Sequence, residues 1–384
     1  MKKICFVTTV SMTLKAFVIE TAKYLHDVGG YDISFICDHD QAFADSLPDY
    51  IHYYPVSMKR GISLGGIQAC REIKKIFKRE KFDLVQYSTP NASLYAALAA
   101  KSAKIPVRLY CQWGIAYVGM HGTKRKIFKA VEKLVCRLST KIEPDSFGNL
   151  RFSHAEGLYG PEKSCVIWNG SASGVNLTKF DISGKACWRK AIREQYHLPE
   201  DAFVYGFIGR VNRDKGINEL FAAFQSIRQI HPNSYLMLVG GEEISEGVNT
   251  VMYDWAQKDD HVLFCGFTNV VEQYLSAMDV YILPSYREGF GSAVVEAEAM
   301  GVPVIITDIP GPTDAMLRQE TGLVAKKADI ATLQSAMDVL YRKADLRQQF
   351  STAAHTFAAE RFDQVKLFAR ILEDRRNLMQ QTEK

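Results

Sequence analysis

Residues 280–308 read VYILPSYREGFGSAVVEAEAMGVPVIITD, and the fold is decided there. The stretch opens on an apolar run, VYILPS, passes through a glycine-rich turn into a small-residue helix, SAVVEAEAM, and ends on a second apolar run, VPVIITD. Short, nearly continuous apolar runs rich in β-branched residues mark strands covered on both faces, and alternation with helices makes such strands parallel. The scheme recurs along the chain. In the first half KICFVTTV, DISFIC, YIHYYPV, FDLVQYS, PVRLYCQ and SCVIWNG read as strands, separated by helical patterns such as LKAFVIETAKYLHDVG and IQACREIKKIFKRE. In the second half FVYGFIG, SYLMLVGG, HVLFCG and TGLVA join the two strands already quoted. The expectation is an α/β protein of two Rossmann-like, doubly wound parallel-sheet domains facing each other across a cleft. A length of 384 residues fits two domains. The polar segment NGSASGVNLTKFDISGKA joins them, which gives 1–165 and 166–360.

Composition narrows the class. With 47% hydrophobic and 23% charged residues and no biased tract, the sequence is that of an ordinary globular protein. Its nearest approach to a membrane span, ASLYAALAA, falls well short of the about 20 residues a bilayer requires. The eight cysteines are scattered singly with no CxxC pair, which predicts buried thiols in a reducing compartment rather than disulfides or zinc ligands. The opening MKKICFVTTVSMTLK has threonines and a lysine within its apolar part, so it predicts a first strand and not a signal peptide. A cytoplasmic location is expected. Charge is uneven: residues 1–165 hold 24 Lys and Arg against 15 Asp and Glu, a net +9, while the remainder holds 23 against 28, a net −5. A basic first half calls for an anionic partner, a phosphate-bearing substrate or a lipid surface, unless it is uneven surface decoration. No aromatic-interleaved basic patch points to nucleic acid.

Two loops that follow strands carry the chemistry. After FVYGFIG, the sequence GRVNRDKG places Arg210 and Lys215 just ahead of a helix. An arginine fork, a lysine point charge and a helix N-terminus suit a diphosphate, although the same residues are common in solvated loops. The loop is neither a P-loop nor a GxGxxG dinucleotide fingerprint. After VYILPS, Glu288 precedes the turn Gly289-Phe290-Gly291-Ser292. The glycines admit close backbone approach, Ser292 is the expected N-cap of a helix beginning at Ala293, and the free N–H groups of that turn attract an anion. Glu288 would repel phosphate but accepts hydrogen bonds from hydroxyls, and Glu296 could do the same for another hydroxyl pair such as a ribose. A ligand with sugar hydroxyls at both ends and phosphates between fits all three features. That ligand is a nucleotide sugar.

GRVNRDKG together with EGFGSAVVEAEAMGVPVI resembles the donor-binding region of family-4 glycosyltransferases, retaining enzymes of the GT-B fold, of the type that assembles bacterial capsule, lipopolysaccharide or exopolysaccharide. Glu288 and Glu296 meet the family's E-x7-E motif, and NGSASGVNLTKF is similar to its linker strand, with Asn176 where an aspartate is usual. The likeness is strong over about residues 164–325 and rests elsewhere on strand order. It implies that Arg210 and Lys215 hold the diphosphate and Glu296 the ribose. It implies too that Glu288 and the backbone from Gly289 through Phe290 and Gly291 to Ser292 meet the donor sugar and phosphate. Phe267, after HVLFCG, stands where members contact the base, or else is a core aromatic. The terminal segment 361–384 reads as a helix, which in GT-B proteins returns to pack on the first domain. The implied activity is retaining transfer of a hexosyl unit from a nucleotide sugar, with UDP the expected nucleotide, to a saccharide acceptor, with no metal or other cofactor. A GT-B sugar-nucleotide epimerase or a non-catalytic sugar-nucleotide-binding protein would share the site.

The first half departs from the family pattern. Many members have a glycine pair after the first strand; this chain has TTVSMTLKAF, with Lys15 at the next helix start as a further candidate for the phosphates. A His-Gly commonly ends the strand that here reads VRLYCQWG, so Trp113 stands in place of the histidine, and His121 follows in GMHGTK. Lys15, Trp113 and His121 are the acceptor-side candidates; the alternatives are a solvated lysine, a core tryptophan and a loop histidine. Residues 124–138, KRKIFKAVEKLVCRL, read as a basic amphipathic helix with Ile127, Phe128, Val131, Leu134, Val135 and Leu138 on one side. Such a helix lies on an anionic membrane or packs in a domain with a solvated face. Peripheral membrane contact would suit a polyprenyl-diphosphate-linked acceptor.

Overall fold

The computed structural model describes residues 1–58, 64–244 and 247–381. The chain forms two compact units, Met1–Ser173 with Val365–Lys384, and Gly174–Gln364. The first unit is built on a six-stranded parallel sheet of β1 (Lys3–Val7), β2 (Asp32–Cys37), β3 (Ile51–Pro55), β4 (Leu84–Tyr87), β5 (Val107–Gln112) and β6 (Lys141–Pro144), in the order β3-β2-β1-β4-β5-β6. Alternation along β1 shows why the strands read as unbroken apolar runs. Ile4 and Phe6 enter one core with Leu14, Leu25 and Phe35, while Cys5 and Val7 enter another with Ile73, Val85 and Ala96. Both faces of the sheet are covered by helices, so a polar residue on either face would be desolvated.

Two elements differ from the sequence reading. SCVIWNG is not the sixth strand: it meets β6 through a single bridge, Ser164 to Ile142, with Cys165 N donating to Ile142 O at 3.2 Å, and the chain then turns through left-handed backbone at Trp168 (φ 50°) and Ser171 (φ 73°). The sixth strand is KIEP, an edge strand whose Lys141, Glu143 and Pro144 hide it from a search for apolar runs. The helix read over LKAFVIETAKYLHDVG is two helices, Ser11–Phe17 and Ile19–Asp27, broken at Val18. The cysteines are all unpaired as expected, but not all are buried: Cys187 is exposed. Among the described residues no helix is long and apolar enough to cross a membrane.

The second unit repeats the winding with β7 (Phe203–Ile208), β8 (Ser234–Val239), β9 (Val262–Gly266), β10 (Val280–Leu283), β11 (Val304–Thr307) and β12 (Gly322–Ala325), in the order β12-β11-β10-β7-β8-β9. In both sheets the chain starts centrally, winds outward over two strands, then returns to the middle and winds the other way. The reversal between β7 and β10 leaves their carboxyl-end loops side by side, the place where such sheets bind ligands. One continuous core, including Phe207, Phe221, Phe224, Ile282 and Val295, fixes the strands beneath those loops.

The chain passes between units at Ser173–Gly174 and again at Gln364–Val365, later than residues 165 and 360. The two passages are hydrogen-bonded together, Val175 N to Phe362 O at 2.7 Å and Gln364 N to Val175 O at 3.0 Å. Gly174 is at φ 65°, and a Cβ there would lie 2.7 Å from Phe362 O. The last helix, Gln364–Gln380, packs Leu372 and Met379 against the first sheet's core; residues 382–384 lie outside the described residues. Its Arg375 is only 1% exposed. The guanidinium donates to Glu143 at 2.7 and 3.2 Å, to Asp374 at 2.5 Å and to Gln86 at 3.1 Å. Removing one partner from a buried charge cluster strands the others in low dielectric. Arg375→Met is therefore expected to destabilise the first unit by ~3–5 kcal/mol, read as faster native-state hydrogen exchange in β1 and β6, with the amides of β7 and β8 as the internal reference.

Candidate functional site

The loop after β7 begins at Gly209 and returns to helix at Ile217. Asn212 caps a single 3-10 turn, Arg213–Lys215, by accepting from Lys215 N at 3.2 Å. Gly216 ends that turn in left-handed backbone (φ 72°), and a Cβ there would lie 2.0 Å from Pro284 O, so only glycine lets this loop lie against the one that follows β10. The two loops are then tied residue by residue. Lys215 Nζ donates to Glu288 Oε1 at 2.6 Å, and Ser285 Oγ donates to the same oxygen at 2.7 Å. Arg287 bonds Asp214 at 2.6 and 3.1 Å, Tyr286 N donates to Asp214 O at 2.8 Å, and the Tyr286 hydroxyl donates to Glu219 at 2.6 Å. Lys215 and Glu288, assigned separately from sequence, are thus direct partners, and both are largely sheltered from solvent. Ser285, Tyr286, Arg287, Asp214 and Glu219 were missed by the sequence reading. Of these only Ser285 carries a local signal, its spacing three residues ahead of Glu288.

Arg210 is held differently. Its guanidinium donates to Glu243 at 2.7 Å, with both side chains half exposed. Such a surface pair contributes ~0–1 kcal/mol, so the arginine is released to a better anion at little cost.

The turn after Glu288 ends at Gly291 in left-handed backbone (φ 91°), and Gly291, not Ser292, is the N-cap of the helix Ser292–Ala299. No side chain caps this helix and Val294 N donates to Gly291 O at 2.8 Å, so the N–H groups of Ser292 and Ala293 remain available. The Phe290 side chain turns inward and packs on Phe362 at 5.2 Å between ring centroids, which leaves only its backbone facing the turn. Phe267, at the end of β9, is 74% exposed; the core reading is excluded. Glu296 is half-buried, and its carboxylate has no hydrogen-bond partner among the described residues. Burial raises its pKa to about 7, Lys179 opposing and Glu272 adding to the rise. Lys179 reaches the same neighbourhood by donating to Asn269 O at 2.9 Å, just beyond β9. Glu298 points the other way: it is fully buried with neither carboxylate oxygen hydrogen-bonded among the described residues. Burial pushes its pKa well up, with Thr321 opposing.

The remaining candidates lie in the first unit. Lys15 Nζ sits 3.8 Å from Asp40 and over the Phe43 ring. Trp113 is half-buried against Phe17, at 5.6 Å between centroids. His121 is exposed, at the N-cap position of the helix Gly122–Leu138, and makes no capping bond. On that helix the expected apolar side is split. Val135 is buried, whereas Ile127 and Leu134 are 49% and 39% exposed among Lys126, Lys133 and Arg137. Arg125 and Lys129 are drawn to Glu156 at 2.9 and 2.8 Å.

The sequence matches two families, Glycosyl transferase 4-like over residues 3–146 and Glycosyl transferases group 1 over residues 189–357. The chain belongs to the group 1, type-4-like glycosyltransferases. Among its relatives is the capsular polysaccharide biosynthesis glycosyltransferase CapM of Staphylococcus aureus, 28% identical over 76% of each chain. Another is the Escherichia coli UDP-Gal:alpha-D-GlcNAc-diphosphoundecaprenol alpha-1,3-galactosyltransferase, 26% identical over 80% of this chain and 79% of that one. HepE of Anabaena, solved in complex with UDP, superposes with a TM-score of 0.78 at 19% identity, covering 98% of this chain and 100% of HepE. The GT-B glycosyltransferase has two six-stranded parallel sheets, and its group 1 match contains both tied loops.

Glu298 supplies a pH test. The folded state retains its proton above the unfolded value of about 4.3, so this stabilisation is complete below that pH and is lost as pH rises. Glu298→Met is expected to raise the melting temperature by several degrees at pH 8 and to change it little at pH 4, as measured by calorimetry.

Proposed function

We propose that the chain is a retaining hexosyltransferase that moves a sugar from UDP to a saccharide acceptor carried on polyprenyl diphosphate, during assembly of cell-surface polysaccharide. The observation that carries this reading is the joining of Lys215 to Glu288, beside an uncapped helix N-terminus and a Glu296 carboxylate without a partner. Cations and free N–H groups suit the diphosphate, and carboxylates suit the hydroxyls on either side of it. Phe267 offers an exposed ring for the base.

The mechanism follows from where charge develops. As the bond from C1 to the β-phosphate oxygen breaks, negative charge grows on UDP, and donors aimed at it in advance lower the barrier. The Lys215 ammonium has three N–H donors and uses one on Glu288, so it can meet phosphate while still holding the carboxylate. Arg210 leaves Glu243 to grip a second oxygen. Glu288 accepts hydrogen bonds from the donor sugar through Oε2, which has no partner among the described residues, and orients the ring without attacking it. The acceptor oxygen bonds to C1 on the face the phosphate leaves, and its proton passes to the departing phosphate oxygen. Configuration is retained. No metal is required, since Arg210, Lys215 and the helix N-terminus supply the positive charge. Lys15, Trp113 and His121 are assigned to the acceptor side. The protein works at the cytoplasmic face of a membrane, which the exposed cations and the Ile127 and Leu134 side chains of the helix Gly122–Leu138 touch.

The deciding experiment is transfer from labelled UDP-hexoses to short-chain prenyl-diphosphate saccharides in EDTA, with the product anomer assigned by NMR. Lys215→Ala should lower kcat/KM by about 10²–10³; an undiminished rate, an inverted product or a requirement for divalent metal removes the corresponding part of the reading. A second outcome concerns pH. Because Glu296 loses its proton only near pH 7, its two-oxygen grip on the ribose should strengthen as pH rises through that value. The KM for the UDP-sugar, whose diphosphate does not titrate there, should fall severalfold between pH 6 and pH 8, and Glu296→Gln should flatten the profile.

A further inference from the structure

On one face of the first sheet, the helix Leu64–Glu80 lies beside Pro90–Ser102, which in turn lies beside Gly122–Leu138. The first two touch at Gly66, where a Cβ would fall 2.4 Å from the Tyr95 hydroxyl oxygen. Along the same seam they leave a groove of about 390 Å³, within the range of small-ligand sites. Its stripes are Ile67 and Cys70 on one helix and Leu94, Leu98 and Ala99 on the other. Ile67 is 53% exposed and Leu98 39% exposed, so water meets carbon where a soluble surface would place charge. Arg71 and Lys74 also line the groove, and neither has an ion-pair partner among the described residues. No acidic residue is in the described lining. On the neighbouring helix Gly122–Leu138 the only acid, Glu132, is buried and accepts from Tyr110 and Gln112, so its outer surface continues the same pattern of carbon and cations.

We propose that this groove binds the isoprenoid chain of a prenyl diphosphate, with Arg71 and Lys74 facing its phosphates. A groove lined mainly by carbon, with the Tyr95 and Ser102 hydroxyls and the Cys70 thiol beside the two cations, suits a chain that has no hydrogen-bonding groups, whereas a peptide would bring more amides than this lining can satisfy. Two unpaired cations at its wall provide the complementary charge for a lipid that is anionic at one end. The assignment rests on the lipid-linked acceptor reading given above and adds the place where the lipid is held.

Cys70 reports on the groove directly. It is half-buried, burial raises its thiol pKa, and exposed Cys187 in the other unit is an internal control. The full chain is alkylated with N-ethylmaleimide at pH 8.5, alone and with geranylgeranyl diphosphate, inorganic pyrophosphate or phosphatidylglycerol micelles, and both cysteines are followed by mass spectrometry. Geranylgeranyl diphosphate is expected to slow Cys70 tenfold or more without slowing Cys187, pyrophosphate is expected to have no effect, and Leu98→Glu or Ile67→Glu is expected to abolish the protection. Both substitutions are at exposed positions, and melting curves verify their fold. Absence of protection, equal protection by pyrophosphate, or equal protection by phosphatidylglycerol overturns the proposal, the last by making membrane phospholipid the occupant. Protection of Cys70 without sugar transfer to any prenyl-diphosphate acceptor upholds the groove and removes the acceptor reading instead.

Discussion

The ion pair of Lys215 with Glu288 joins residues 73 positions apart in sequence, and the joining of the loops after β7 and β10 depends on it. A lysine and a glutamate this sheltered would each carry a desolvation penalty alone. Together, with Ser285 also donating to Glu288, they are mutually satisfied, and they hold two loops in one geometry. The neighbouring Arg287–Asp214 and Tyr286–Glu219 contacts extend the join on either side, and Gly216 supplies the room by having no Cβ to strike Pro284. The loops therefore behave as one pre-set surface rather than two flexible segments, and pre-set dipoles and charges need little reorganisation when charge develops.

Satisfied and unsatisfied groups are arranged along this surface in a telling way. Lys215 and Glu288 are paired and sheltered, Arg210 is paired but exposed, and Glu296 has no hydrogen-bond partner. The fold thus fixes one pair firmly and leaves Arg210 and Glu296 loosely engaged. Glu298, two residues beyond Glu296, is unsatisfied for a different reason: it is sealed in the core, where no ligand reaches, and it weakens the unit as pH rises.

The doubly wound order was legible because a sheet covered on both faces writes its strands as apolar runs, and eleven of the twelve strands obey that rule. KIEP escaped because an edge strand pairs on one side only and tolerates Lys141, Glu143 and Pro144. Within the site, the glutamate spacing and the two cations were readable as motifs, each confined to one loop. The Lys215–Glu288 contact was not, because tertiary pairing leaves no trace in local spacing. Ser292 was misplaced as a cap because it is already the first helical residue, with non-helical Gly291 ahead of it, and the two possibilities read alike in GFGS. The exposure of Ile127 and Leu134 was hidden by a helical pattern in which i and i+3 neighbours seemed to share one face.

The hydrogen-bonded double passage near Val175 and Asp363 bears on how the molecule is made. The first unit needs its final helix: Arg375 neutralises Glu143, and Leu372 and Met379 complete the core against the first sheet. On a ribosome, that helix appears only after the whole of Gly174–Gln364 has been synthesised, a delay of roughly 10–40 s at common elongation speeds. Through that interval the nascent first sheet waits with an uncompensated carboxylate and an uncovered apolar strip. The second unit, contiguous in sequence, meets no such delay. The half synthesised first is thus the half completed last, and chaperone demand during synthesis falls on the first sheet rather than on the second.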